Sequence, residues 1–189
     1  MAQQAKVDAF SGTELISLAE AKEYLRVGST DDDTYITELI KIARMQVLND
    51  TNQVVVETTI TEYYRDWPNN DILHLSYPGK ITSPIIKYAD VNNASQTLTD
   101  QTDYKISFNH GLPLLQFYNT FTMYDRANAL SIQYDVEPQN ADVVRTLKIA
   151  MYMLIAHFYD NRSPVSYLKV DEMPLGYKHI ITQYKNYIW

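Results

Sequence analysis

Apolar residues recur at helical spacing at both ends of the chain and at strand spacing in between. Leu18, Ala21 and Leu25 stand at i, i+3 and i+7. Before them, Ser17 and Glu20 have the S-x-x-E form in which a hydroxyl and a carboxylate each satisfy a free backbone N–H at a helix start. Gly28 is the expected stop, because glycine takes the left-handed geometry of a helix C-terminus at no steric cost. Asp31, Asp32 and Asp33 then suit the partial positive charge at the start of a second helix, whose apolar stripe is Ile36, Leu39, Ile40, Ala43 and Val47. Asn49, Asp50 and Asn52 break that stripe.

From Val54 to Tyr64 the chain turns to β-branched and aromatic residues and predicts a long strand. Five shorter runs follow: Ile72 to Leu75, Ile85 to Ala89, Tyr104 to Phe108, Leu114 to Tyr118 and Ala129 to Tyr134. Turn residues separate them, among them Pro78-Gly79, Asn92-Asn93 and Asn109-His110-Gly111. Six short strands predict an antiparallel sheet, a small sandwich or a partly closed barrel. Parallel pairing would need helical crossovers, and no helical pattern lies between the runs.

Helical spacing then returns. Val143, Leu147, Ala150, Met151, Leu154 and Phe158 form one stripe after Pro138, Asn140 and Asp142. Ile149 to Ala156 is apolar nearly all round, which predicts a helix enclosed on more than one side. Asn161 and Pro164 stop it, residues 161–173 read as extended, and Pro174 and Gly176 lead into a last helix. On that helix Tyr177, Ile180, Ile181, Tyr184, Tyr187 and Ile188 share a face. The fold class is α+β: a helical bundle from 14–52 and 138–189, two helices from each, with 53–137 as a β-rich insertion. Residues 1–13 are expected to be flexible.

Composition narrows the function. The longest dense apolar stretch, Ile149 to Ala156, is eight residues, far short of the roughly 18–20 a bilayer crossing needs. Residues 1–14, MAQQAKVDAFSGTE, lack a basic start and apolar core, so no secretory signal is expected. With no cysteine there is no disulfide framework, thiolate metal site or cysteine nucleophile. A net charge of −7 argues against coating nucleic acid, although residues 161–189 carry four basic side chains against two acidic. Sixteen tyrosines either fill strands or form surfaces that other proteins touch.

Catalytic patterns are weak. None of His74, His110, His157 and His179 stands at metal-ligand spacing with another. His157 stands three residues before Asp160, the spacing of an oriented base, but a helix histidine at that spacing is commonly structural. Asp31 to Asp33 lack the alternating acids, glycine and distal glutamate of a calcium loop, so capping is the better account. Five glycines leave no phosphate-cradling loop, and Glu62 with Asp66 cannot be placed across a cleft. A hydrolase using His157 or His110 therefore has no feature asking for it; no enzyme activity, cofactor or metal is expected. A second class stays open, a binding module whose tyrosine-rich β-domain meets carbohydrate or a host surface. Seven aromatic or large aliphatic residues lie in the last thirteen. That face either folds back on its own bundle or is covered by another chain.

Several segments resemble the head–tail connector, or adaptor, proteins of tailed bacteriophages. They are Leu18 to Val27 with Asp31 to Ile36; Ser83-Pro84-Ile85-Ile86-Lys87-Tyr88-Ala89-Asp90; Asp103 to Ile106; Leu130 to Asp135; and Leu154 to Arg162, which closes on Tyr159-Asp160-Asn161-Arg162. Met173-Pro174-Leu175-Gly176 and the amphipathic tail follow in the same order. The resemblance implies a virion protein of the neck, assembled in the host cytoplasm as a homo-oligomeric ring, commonly a dodecamer. Such a ring docks on the portal protein, meets a tail-side neck, stopper or tail protein, and extends a channel through which DNA passes without sequence-specific contact. It implies portal contacts from Lys178, Ile181, Tyr184, Tyr187, Ile188 and Trp189. Leu147, Met151, Leu154, Phe158 and Arg162 of the long helix would serve subunit or core packing. No membrane partner is implied.

Overall fold

A computed structural model describes residues 4–109, 112–138, 140–162 and 174–185. Residues 4–13 with 56–138 form one compact unit; 14–55, 140–162 and 174–185 form another.

The second unit is helical, with α1 (Leu18–Leu25), α2 (Asp33–Thr51), α3 (Ala141–Asp160) and α4 (Leu175–Tyr184). The capping box forms: Ser17 Oγ accepts from the Glu20 N–H at 3.3 Å, and Glu20 Oε2 accepts from the Ser17 N–H at 2.9 Å. Gly28 does not end α1. Arg26 takes the left-handed conformation instead, with φ 58°. Its N–H and that of Val27 then reach the carbonyls of Glu23 and Lys22 at 3.1 and 3.0 Å. Those two bonds offset the roughly 1 kcal/mol that a non-glycine residue spends in this conformation. The core runs along one face of α2 (Ile36, Leu39, Ile40, Ala43, Val47, Leu48) and one face of α3 (Leu147, Ala150, Met151, Leu154, Ile155). Asn140 caps α3, its Oδ1 accepting from the N–H groups of Asp142 and Val143 at 3.0 and 3.2 Å. As expected, α3 is enclosed on more than one side, packing against α1, α2 and α4, although Ile149 on its far side is 52% exposed.

Among the described residues the first unit holds eight strands, all paired antiparallel. They are β1 (Gln4–Phe10), β2 (Thr58–Tyr64), β3 (Ile72–His74), β4 (Lys80–Ala89), β5 (Ser95–Thr97), β6 (Tyr104–Asn109), β7 (Leu112–Phe117) and β8 (Leu130–Glu137). One sheet has the order β1-β2-β8-β4-β5 and the other β3-β7-β6. Two strands exceed the expected six. Residues 4–10, expected to be flexible, pair along β2 from Gln4↔Tyr63 to Phe10↔Thr58. Most of their side chains are exposed, so the hydrophobic alternation that marks a strand was missing. The same holds for β5, exposed at all three positions.

Inside β4, Ser83-Pro84 sits where the register shifts between Thr82 and Ile85, with Ser83 at φ 51°. Proline has no N–H to give a central strand, and the bulge lifts it out of the ladder. Gly79, at φ 152°, makes the turn into β4. A Cβ there would lie 2.4 Å from Val136 Cγ1 and 2.6 Å from the Glu137 carbonyl oxygen, so only glycine fits.

Candidate functional site

The sequence candidates separate on the helical unit. Leu147, Met151 and Leu154 are fully buried in its core, and Phe158 is half-buried. Arg162, just past the end of α3, closes a latch onto the start of α2. Its Nη1 and Nη2 donate to Asp32 Oδ1 and Oδ2 at 3.1 and 2.8 Å. Its guanidinium lies 4.3 Å from the Tyr159 ring centre and 4.8 Å from that of Tyr35. The Tyr159 hydroxyl donates to Asp32 Oδ2 at 2.6 Å, and the Tyr35 hydroxyl to the Phe158 carbonyl at 3.2 Å. Asn161 turns back to donate to the His157 carbonyl at 2.8 Å. The Tyr159-Asp160-Asn161-Arg162 run is therefore a positional device, a flat cation held by two rings and a two-toothed carboxylate. Hydrogen bonds from Arg162, then from Tyr159, hold the Asp32 carboxyl below its usual range. The same bond to Asp32, followed by burial, raises the Tyr159 phenol.

Asp32 and Asp33 stand at the start of α2, where its partial positive charge lies, as expected; the capping hydrogen bond is what is missing. Asp32, the residue before α2, makes no side-chain cap. Asp31 accepts from Ser29 Oγ at 2.6 Å, Asp32 serves the latch, and Asp33 meets Lys22 Nζ at 2.5 Å. Three adjacent carboxylates thus go to three separate partners.

On α4, Tyr177 and Ile181 turn into their own unit, 1% and 9% exposed. The Tyr177 hydroxyl donates to Asp50 Oδ2 at 2.5 Å, and burial, then this bond, pushes its pKa up. Tyr184 is half-buried, its carbonyl oxygen 3.4 Å from Gln53 Nε2. Of the two arrangements left open for the terminal face, the described part of α4 takes the fold-back, Ile181 included. Lys178 is exposed on the outer side and Leu175 is 81% exposed. Tyr187, Ile188 and Trp189 lie outside the described residues.

Among the described residues, no group of three or more His, Asp or Glu could hold a metal. His157 meets Asn161, whose Nδ2 lies 3.4 Å from its Nδ1, rather than Asp160. His110 lies outside the described residues. No helix among them is long and apolar enough to cross a membrane.

Glu62, unsuccessfully paired with Asp66 in the sequence, is instead a buried hub, whereas Asp66 is exposed. Fully enclosed on β2, its Oε1 accepts from the Ser76 N–H at 2.8 Å and from the Tyr134 hydroxyl, and its Oε2 from the Tyr64 hydroxyl. Burial first, then the Glu62 charge, raises the phenols of Tyr64, Tyr77 and Tyr134. Strand parity was the available signal, since Glu62 alternates with Ile60 and Tyr64 on the buried face of β2.

A family model for "head completion protein" matches residues 14–186. The chain belongs to the head completion protein family. No curated protein matches it in sequence. Among solved structures, this head completion protein is similar to a chain of the "Virion of native gene transfer agent (GTA) particle", with a TM-score of 0.71 and 15% identity. It is also similar to chains of the "Neck of empty GTA particle computed with C6 symmetry" (TM-score 0.70, 14% identity) and the "Neck of native GTA particle computed with C12 symmetry" (TM-score 0.69, 14% identity). Each match covers 99% of this chain and 97% of the other. At such identity the likeness is one of fold.

Proposed function

We propose that the protein is a structural subunit of the head–tail neck, forming a ring that docks on the portal, extends the DNA channel and presents its other side to a tail-side neck, stopper or tail protein. The observation that carries this reading is the head completion match across residues 14–186, with the fold of GTA neck chains over nearly the whole length. The symmetries of those necks, C6 and C12, support a closed ring, with twelve copies as the reading favoured here. The work of such a subunit is mechanical, with no reaction to catalyse. A net charge of −7 suits a channel wall, because negative charge repels phosphates and lets DNA slide.

Two surfaces support assembly. The far side of α3, where Ile149 is exposed, offers an apolar point of contact to a neighbouring copy. The outer side of α4 with the residues beyond it, from Leu175 and Lys178 to Tyr184, Tyr187, Ile188 and Trp189, is the portal-facing candidate; Ile181 supports it from within. Cosedimentation with the portal tests this assignment. Leu175→Asp with Lys178→Glu should leave the fold intact and reduce portal binding at least tenfold. Unchanged binding would remove α4 from the contact.

A further inference from the structure

The β-strand unit carries a recess of about 250 Å³ that the neck role does not use, lined by Arg65, Asp66, Trp67, Met123, Tyr124 and Asp125. Two triplets build it: one directly after β2, the other in the connection from β7 to β8. Both walls are pinned. Trp67 packs against Phe117, Phe121 and Tyr88 at ring-centre distances of 4.7, 5.3 and 6.3 Å, and its Nε1–H donates to Asp71 Oδ1 at 2.8 Å. Opposite, the Tyr124 N–H donates to the Ala89 carbonyl at 3.0 Å, and Thr120 Oγ1 donates to Asp71 Oδ1 at 2.8 Å. Arg65 spans the recess, its Nε and Nη2 donating to Asp125 Oδ1 at 3.2 and 2.7 Å.

The charge count of the lining is unequal. One cation faces two carboxylates: Arg65 is hydrogen-bonded to Asp125, while Asp66, whose charge also acts on Arg65, accepts no hydrogen bond from a described residue and lies exposed. Beside it stand a half-buried indole and a phenol that is 43% exposed. A carboxylate with open acceptor positions next to two aromatic rings is the surrounding that a flat cation prefers, one that stacks on a ring while donating in-plane hydrogen bonds to the acid. The latch elsewhere in this chain, Arg162 against Tyr159, Tyr35 and Asp32, uses the same three chemical parts.

We propose that the Arg65–Asp66–Trp67/Met123–Tyr124–Asp125 recess is a docking pocket for an arginine side chain presented by a protein partner. Arginine fits better than lysine because its guanidinium offers a face to the rings and a fork to Asp66 together. The inference goes beyond the neck reading and fails or stands without it.

The test follows Trp67 fluorescence in a Trp189→Phe protein, the chain's other tryptophan being Trp189. N-acetyl-arginine amide should change the emission saturably at millimolar concentration. The neutral isostere N-acetyl-citrulline amide should bind at least fivefold more weakly. Asp66→Asn should weaken the arginine probe by about fivefold and leave the urea midpoint unchanged, since an exposed cation–π contact and a screened ion pair are each modest. No saturable response, equal binding of the citrulline probe, or binding of methyl glycosides with none of arginine would each overturn the proposal.

Discussion

Replacing Glu62 by leucine removes a carboxylate that has no exposed surface and leaves three buried donors, the Ser76 N–H and the Tyr64 and Tyr134 hydroxyls, without their acceptor. An orphaned buried donor costs about 1–3 kcal/mol, partly relieved where a hydroxyl can rotate, so the sum comes to about 3–6 kcal/mol. Glu62→Gln keeps the shape and one accepting oxygen but puts an amide NH2 where a tyrosine donates; about 1–2 kcal/mol is expected. The decisive variant is the triple Glu62→Leu, Tyr64→Phe, Tyr134→Phe. It leaves only the Ser76 N–H orphaned and should regain at least half of the loss, because removing both partners of a buried polar pair costs less than removing one. Urea unfolding followed by Trp67 emission in the Trp189→Phe background reads the β-strand unit, since Trp67 packs on Phe117 of β7 and Tyr88 of β4. A Glu62→Leu loss below about 1 kcal/mol, or a triple variant less stable than the single one, would refute the hub. The raised phenols add a pH signature. A group whose folded pKa lies above its unfolded value stabilises below the unfolded value, so this contribution fades as pH rises beyond the ordinary tyrosine value of 10.0. Tyrosinate absorbance should therefore appear late, together with unfolding.

The other predictions concern the helical unit. Leu154→Ala, at a fully buried position of α3, should cost about 2–5 kcal/mol by thermal or urea unfolding, and a loss under about 1 kcal/mol would contradict its place in the core. Arg162→Lys removes the fork and the flat stacking face; amide hydrogen exchange should quicken at residues 157–161 while the unfolding midpoint holds, and unchanged exchange would dismiss the latch. Glu20, held at about 2 by its hydrogen bond from Lys148 and then by those from Ser17, should support α1 above the ordinary carboxylate value and lose that contribution as pH falls toward 2. The effect is under about 1 kcal/mol because the site is wet, and it should vanish in Glu20→Gln.

Periodicity locates the four helices of the described residues and their core faces because burial there repeats along one stripe, as in Ile36, Leu39, Ile40, Ala43 and Val47. The strands it missed, β1 and β5, are held by pairing rather than by an apolar face, and pairing leaves little trace in a single chain's pattern. Gly28 was the expected stop, yet Arg26 adopts the left-handed conformation because two capping hydrogen bonds compensate it. Tyrosine suits both strand interiors and protein-contacting surfaces, and the structure divides it: Tyr64, Tyr104, Tyr134 and Tyr177 are buried, while Tyr24, Tyr118 and Tyr124 are exposed. The latch and the recess were not legible, since Asp32 with Arg162 and Trp67 with Tyr124 meet only after long stretches of chain have folded. The resemblance to connector proteins was legible from ordered segments, none specific alone, and the head completion match over residues 14–186 agrees with it.

Electron microscopy of the purified protein mixed with its own virus's portal addresses the neck assignment most directly. A closed ring of this chain coaxial with the portal, its central opening continuing the portal's channel, is the predicted image. Single copies remaining apart from portals at micromolar concentration, or decorating them without closing a ring, would contradict the account.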